Sequence, residues 1–309
     1  FVETLIFNTA LIRRRIRDPR MRVVYKNVGK RSKTDIALVY IEGEADEKYV
    51  QWLSEKLDSI DTDCLPMGHQ SLAECLIQSK WYNPFPKIRY TERPDTAAAQ
   101  LSEGNVLILC DNSPQAMLLP TSIFDFLQET GDYYFPPLTG TYLRVVRHCI
   151  FWLTLCLVPL WYLLVMHPQY VPGWLTFILP EDHGSLPLIV QLFLVEFVID
   201  GLKLASMNTP SMLTNSLSVV GGLILGDFAV DIGWLIPEVI LYMAFVAIAN
   251  FTQSSYELGY AVKFMRMLLL AVTALFGVWG FALGFVGILL LIAGNATVNR
   301  RHSYLYPLF

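Results

Sequence analysis

The 309-residue chain is short of charge: Asp, Glu, Lys and Arg make up 16% of it, where soluble domains carry roughly 25%. The shortage is uneven. Residues 1–148 hold 18 Lys+Arg and 19 Asp+Glu, which leaves 5 and 8 for the remaining 161 residues. The first stretch suits water and the second largely suits lipid, so a wholly soluble enzyme is excluded. Cysteine is scarce and unpaired in pattern. Cys64, Cys75, Cys110, Cys149 and Cys156 form no C-x-x-C, which argues against both a disulfide framework and a zinc site. The five histidines are scattered, and neither a Ser-His-Asp arrangement nor an H-E-x-x-H motif can be read. No catalytic residue, metal or cofactor is therefore assigned. Residues 1–10 lack the charged n-region and cleavage site of a signal peptide, so a soluble domain ahead of the first span is expected in the cytoplasm. The chain also begins without Met, and an excerpt of a longer protein is expected.

The first 148 residues carry alternating patterns. Val2, Leu5, Ile6, Thr9, Ile12 and Ile16 recur at helical spacing until Asp18-Pro19. This predicts an amphipathic helix over 2–17 whose far face holds Arg13, Arg14 and Arg17. Residues 36–41 form a short β-branched run and read as a buried strand. Helices are predicted over 46–59, with Val50, Leu53 and Leu57 inward, and over about 72–79. Asn83-Pro-Phe-Pro86 must be extended, because each Pro disfavours helix at and before itself. A helix over 96–103, a buried strand over 106–110 and a turn at Asp111-Asn-Ser-Pro114 leading into 116–119 complete an α/β domain.

Ten residues between Arg13 and Lys33 are basic. Nucleic-acid binding would need such a patch, but aromatic interleaving is limited to Tyr25 and the chain as a whole is acidic. Contact with anionic lipid is a second reading. A solvated helix face with salt bridges between subunits is the third and best supported. Gly29-Lys-Arg-Ser-Lys-Thr34 is no phosphate loop, since the Gly required five residues earlier is Val24.

Residues 149–166 are 18 in a row without charge, close to the roughly 20 that cross a bilayer. Arg144 and Arg147 precede them, and the loop 167–187 has no Lys or Arg, which points the first domain to the cytoplasm. Four further apolar segments lie at 186–205, 212–226, 234–251 and 267–292. Five crossings would leave Arg300 and Arg301 outside, so one segment is expected to be re-entrant or interfacial. The choice falls on 186–205, where Glu196, Asp200 and Lys203 share a helical face; alternatively, Asp200 simply neutralises Lys203. The layout is then an α/β cytoplasmic domain (1–143), an α-helical polytopic membrane domain of four to five helices (144–299) and a cytoplasmic C-terminal segment (300–309).

The third segment mixes Asn215, Ser218, Gly222 and Gly226 with apolar residues and ends in Asp227-Phe-Ala-Val-Asp231. Gly222 and Gly226, four apart, suit close helix packing. The same face could instead line a wet path, with Asp227 and Asp231 gathering cations at a pore mouth.

Several phrases together resemble the A subunit family of spore germinant receptors, the GerA type, of endospore-forming bacteria. They are Phe1-Val-Glu3, Asn8-Thr-Ala-Leu-Ile-Arg-Arg-Arg15, Arg31-Ser-Lys-Thr-Asp35, Tyr82-Asn-Pro-Phe-Pro86, Tyr90-Thr-Glu-Arg-Pro-Asp95, Ser218-Val-Val-Gly221 and Tyr256-Glu-Leu-Gly259. The stretch from Asn208-Thr-Pro210 to Asp231 and the phrase Tyr304-Leu-Tyr-Pro307 look like the stage V sporulation protein AF branch. The resemblance implies a spore inner-membrane protein that assembles with itself, as a pentamer, into a channel for monovalent cations and works with other germination membrane proteins. It carries no catalytic residues. The runner-up is a non-conducting assembly or signalling subunit, and a secondary transporter is disfavoured because no inverted repeat is visible.

Overall fold

In the computed structural model, residues 1–77, 81–181, 184–208, 221–222, 226, 228–253, 255–295, 297–298 and 304–305 are described. The chain divides into two compact units, 1–140 with 291–309, and 141–290.

The first unit begins with helix α1 (Leu5–Arg15), shorter at both ends than its periodicity predicts. The basic run that follows holds a strand that helical spacing hides. Met21–Val28 (β1) pairs antiparallel with Thr34–Ile41 (β2), Met21 opposite Ile41 and Val28 opposite Thr34. The turn between them needs positive φ at Gly29 and Lys33. Four of the ten basic residues face acids: Arg20 meets Asp18 and Glu44, Arg22 meets Glu42, Lys26 meets Asp58 and Lys30 meets Asp61. The run is therefore split between a helix end, a strand and a turn, and is not one free cationic patch.

Helices α2 (Glu47–Asp58, capped by the Asp46 carboxylate) and α3 (His69–Leu76) come next. Strand β3 (Arg89–Thr91), helix α4 (Pro94–Ser102), strands β4 (Val106–Cys110) and β5 (Ala116–Leu119), and helix α5 (Ile123–Leu127) complete the series. The sheet order is β1-β2-β4-β5-β3 and its pairings are antiparallel. Antiparallel sheets often keep one wet face; this one is covered on both, which is why β4 and β5 read as unbroken apolar runs. Ile36, Leu38, Ile108 and Met117 point to α2 and α3, while Ala37, Val39, Leu107 and Leu118 point to α1 and α4.

A distant segment closes this core. The Ile123 N–H donates to the Tyr304 carbonyl, and the fully buried Tyr304 hydroxyl donates to the Pro86 carbonyl, 218 residues away in sequence. Residues 300–309 read from sequence as a segment apart; Tyr304 and Leu305 instead belong to the first unit.

Among the described residues the long elements of the second unit are helices: α6 (Pro137–Met166, whose start lies in the first unit), α7 (Leu188–Asn208), α8 (Pro237–Asn250) and α9 (Tyr256–Ala293). By length and apolar composition α6 could cross a membrane, and so could α9 if it ran straight. Val158 and Trp161 from α6, Leu192 and Val195 from α7, and Val239, Met243 and Val246 from α8 form its core, joined by Leu270. Gln191, fully buried, fastens the start of α8 by accepting from the Ile236 N–H while donating to the Leu186 carbonyl.

The 186–205 segment, expected to be re-entrant or interfacial, forms the continuous helix α7 over Leu188–Asn208. The 267–292 segment, read as a single span, instead folds back at Gly277, whose φ of 61° and ψ of −136° are free of strain only for glycine. Beyond this bend, a Cβ on Gly280 would stand 2.3 Å from the Val272 carbonyl oxygen, and one on Gly284 would stand 2.8 Å from Leu269. The arms 256–276 and 278–293 are thus packed against each other, roughly 31 and 24 Å long at 1.5 Å per residue. Glycines at 277, 280 and 284 were the signal for this in the sequence.

Candidate functional site

Charges buried inside an apolar unit are the feature that stands out chemically. Glu196 and Asp200 lie one turn apart on α7, and Lys263 and Arg266 lie one turn apart on α9. Helical spacing thus sets two carboxylates against two cations along one helix–helix contact. Arg266 forks onto Glu196 with Nη2 2.9 Å from Oε1 and 2.7 Å from Oε2, and its Nη1 donates to the Thr154 carbonyl of α6 at 3.3 Å. Lys263 reaches Glu196 at 3.3 Å and also pairs with Asp200. The side chains of Lys263, Arg266 and Glu196 are only 3%, 5% and 7% exposed. Three helices are therefore tied at one place. Removing one partner of such a buried pair costs about 3–5 kcal/mol, because the charge left behind keeps its desolvation penalty.

The sequence offered Glu196 and Asp200 as a membrane acidic cluster and considered Lys203 as the neutralising partner of Asp200. The structure gives Asp200 to Lys263 instead. Lys203 lies over the rings of Phe251 and Tyr260, at 5.1 and 5.9 Å. Neither Lys263 nor Arg266 was singled out beforehand. The signal was their i, i+3 spacing at the head of an apolar run, which complements the i, i+4 acids.

The candidate pore residues are only partly visible. Asn215, Ser218 and Asp227 lie outside the described residues. Among the described residues nothing lies within 4 Å of where a Cβ on Gly222 or Gly226 would stand. The close approach falls one residue earlier, where Gly221 meets Leu202. Asp231 closes a short helix, Ala229–Asp231, and is exposed. Arg13, Arg14 and Arg17 are exposed at the end of α1.

The first unit holds a cleft that sequence reasoning missed. It has a volume of about 310 Å³ and is lined by Arg89, Thr96, Gln100, Glu103 and Tyr133 among others. Arg89 donates to the Gln128 carbonyl at 2.9 Å, and burial pulls its guanidinium below the ordinary value. Burial pushes the Glu103 carboxyl up. At the rim, hydrogen bonds from Arg93 and then Tyr134 hold Asp95 well below the usual carboxylate range.

A mixed αβ unit joined to an apolar helical unit that buries a four-residue ion cluster defines a two-part protein whose second part shows apolar surface. The family follows from comparison with known proteins. The model described as Bacillus/Clostridium GerA spore germination protein matches residues 1–309, and the chain belongs to the GerA family of spore germination proteins. It is 40% identical over 308 residues to stage V sporulation protein AF of Bacillus subtilis (strain 168), a match covering 100% of this chain and 62% of that protein. It is 30% identical over 291 residues to spore germination protein KA of the same organism, covering 93% and 53%. The chain thus spans a little over half the length of these curated relatives. The crystal structure of the N-terminal domain of the A subunit of the Bacillus megaterium spore germinant receptor GerK3 is 34% identical, covering 38% of this chain and 92% of that one, with a TM-score of 0.31.

Proposed function

We propose that this chain is a multi-pass subunit of the spore inner membrane that assembles with itself into a cation channel releasing monovalent ions during germination, with its first unit in the cytoplasm. Family membership supports the setting. The observation that carries the conducting reading is Asp231, which is exposed and has no ion-pair partner among the described residues, at the end of the one apolar segment rich in small and polar residues. Asp227, four residues earlier, would share the work of concentrating cations, while Asn215, Ser218, Gly222 and Gly226 line the approach. An acid near a bilayer faces water or a partner, since leaving it in hydrocarbon costs a few kcal/mol.

A second reading has its own support. The Glu196–Asp200–Lys263–Arg266 cluster balances two negative with two positive charges and ties α6, α7 and α9 together, as a purely packing role demands. On that reading the chain is a non-conducting assembly subunit. Potassium efflux from liposomes carrying the full-length protein separates the two. The channel reading expects efflux from the wild type and a clear drop in Asp227→Asn. Unchanged efflux in the variant removes Asp227 from the path, and no efflux from a folded oligomer favours the assembly subunit.

A further inference from the structure

Helix α1 presents two different faces. Leu5, Asn8, Thr9 and Ile12 are buried against the sheet. The other face leaves Ile6 71% and Phe7 66% exposed, followed by exposed Arg13, Arg14 and Arg17. None of these arginines has an ion-pair partner among the described residues. The dipole of a helix C-terminus favours basic residues there, but it gives no reason for two large apolar side chains in water.

A complementary surface exists on the same unit. Beside α2 runs a groove of about 590 Å³ with an apolar floor of Val24, Leu38, Tyr40 and Val50, and with Glu47 and Glu55 on its wall. Glu42 borders it too but is taken by Arg22. Glu47 and Glu55 have no ion-pair partner among the described residues. The groove belongs to the side of the sheet that packs α2 and α3, and α1 covers the opposite side.

We propose that the outer face of α1 in one copy docks into this groove on a second copy, with Ile6 and Phe7 on the apolar floor and the arginines against Glu47 and Glu55. Donor and acceptor lie on opposite faces of one sheet, so one copy's α1 cannot reach its own groove. The contact is heterologous, each copy giving one face and receiving on the other, and such a contact builds a ring when its rotation closes. An anionic lipid surface would also attract the arginines. The presence on this same unit of a groove that matches α1 in both polarity and charge is what favours a second copy. The proposal deepens the oligomeric reading above and rests on it.

The test places the photoreactive residue p-benzoylphenylalanine at position 7 of the full-length protein in its membrane, and maps the products by mass spectrometry. The expected product joins position 7 of one copy to residues 38–55 of another. Arg13→Glu with Arg14→Glu should lower its yield roughly tenfold, through like charges set face to face. Adding Glu47→Arg and Glu55→Arg to that chain should restore it, which also shows that the reversed chain folds. A lipid adduct or a link within one chain overturns the proposal. A protein that stays oligomeric by mass while position 7 finds no partner copy overturns this interface alone. A protein that is monomeric throughout removes both the interface and the oligomeric reading.

Discussion

The two units put their charges in opposite places. In the first, ion pairs such as Arg22–Glu42 sit on the surface with about half of each side chain in water, around a core of leucine, isoleucine and valine. In the second, Lys263, Arg266 and Glu196 are inside, while Phe197, Leu275 and Trp279 are each 76% exposed. Burying a charge is costly unless it is paired and hydrogen-bonded, and burying apolar area is favourable only when the alternative is water. An arrangement that hides three charges and displays aromatic and leucine side chains therefore suits a surrounding solvent that is itself apolar. That is the physical ground for the membrane setting proposed here, and it is independent of helix length.

The comparison breaks most directly at Arg266. Arg266→Leu leaves Glu196 and Asp200 to share Lys263, one buried negative charge in excess, and should lower the stability of the detergent-solubilised protein by about 3–5 kcal/mol. Pairing it with Glu196→Leu should recover most of the loss, because no unpaired charge then remains. Thermal unfolding of the single and double variants reads this directly, and equal losses in both would show that the pair contributes by shape and not by charge. A smaller effect belongs to the bend. Gly280→Ala forces a methyl onto the Val272 carbonyl and should cost about 1–3 kcal/mol, seen as faster proteolysis between the two arms. Resistance equal to wild type would mean that the arms do not rely on that contact.

The smallest effect is expected at the exposed pair that stands for the first unit. Asp95 has its carboxyl lowered, first by Arg93 and then by Tyr134. A group lowered on folding stabilises above its unfolded pKa, about 3.9 for Asp, and loses that contribution as pH falls through the folded value. Arg93→Ala should therefore narrow the gap between stability at about pH 6 and about pH 3, only slightly, since water screens the pair. Denaturant midpoints at the two pH values test it, and a gap as wide as that of wild type would count against the pair.

The same contrast explains what could be read in advance. Helix α2 and strand β4 were legible because water on one side, or none on either, leaves a clear period. The charge division at residue 148 gave the two-part layout. Strand β1 was hidden because Arg22 and Lys26 alternate through it and their acidic partners, Glu42 and Asp58, lie 20 and 32 residues away. The ion cluster was half legible: Glu196 and Asp200 were conspicuous in an apolar run, but which cations would meet them depends on how α7 and α9 cross, and no single helix carries that information. The bend at Gly277 was missed because Gly277, Gly280 and Gly284 lie in an otherwise apolar run, and glycines so spaced suit close packing of a straight helix as well as a reversal.

Tyr304 has a consequence in time. Its ring and hydroxyl join a core built mainly from residues before 128, so about 180 residues, including α6 to α9, must be made before Tyr304 arrives. A growing chain can form the sheet early but cannot seal it. Closing so long a loop has only a modest entropic cost, which grows with the logarithm of its length. One step is nonetheless ordered: Tyr304 can take its place in the first unit only once the chain as far as residue 304 has been made. The seal at Pro86 thus marks that the chain between residues 86 and 304 has been made.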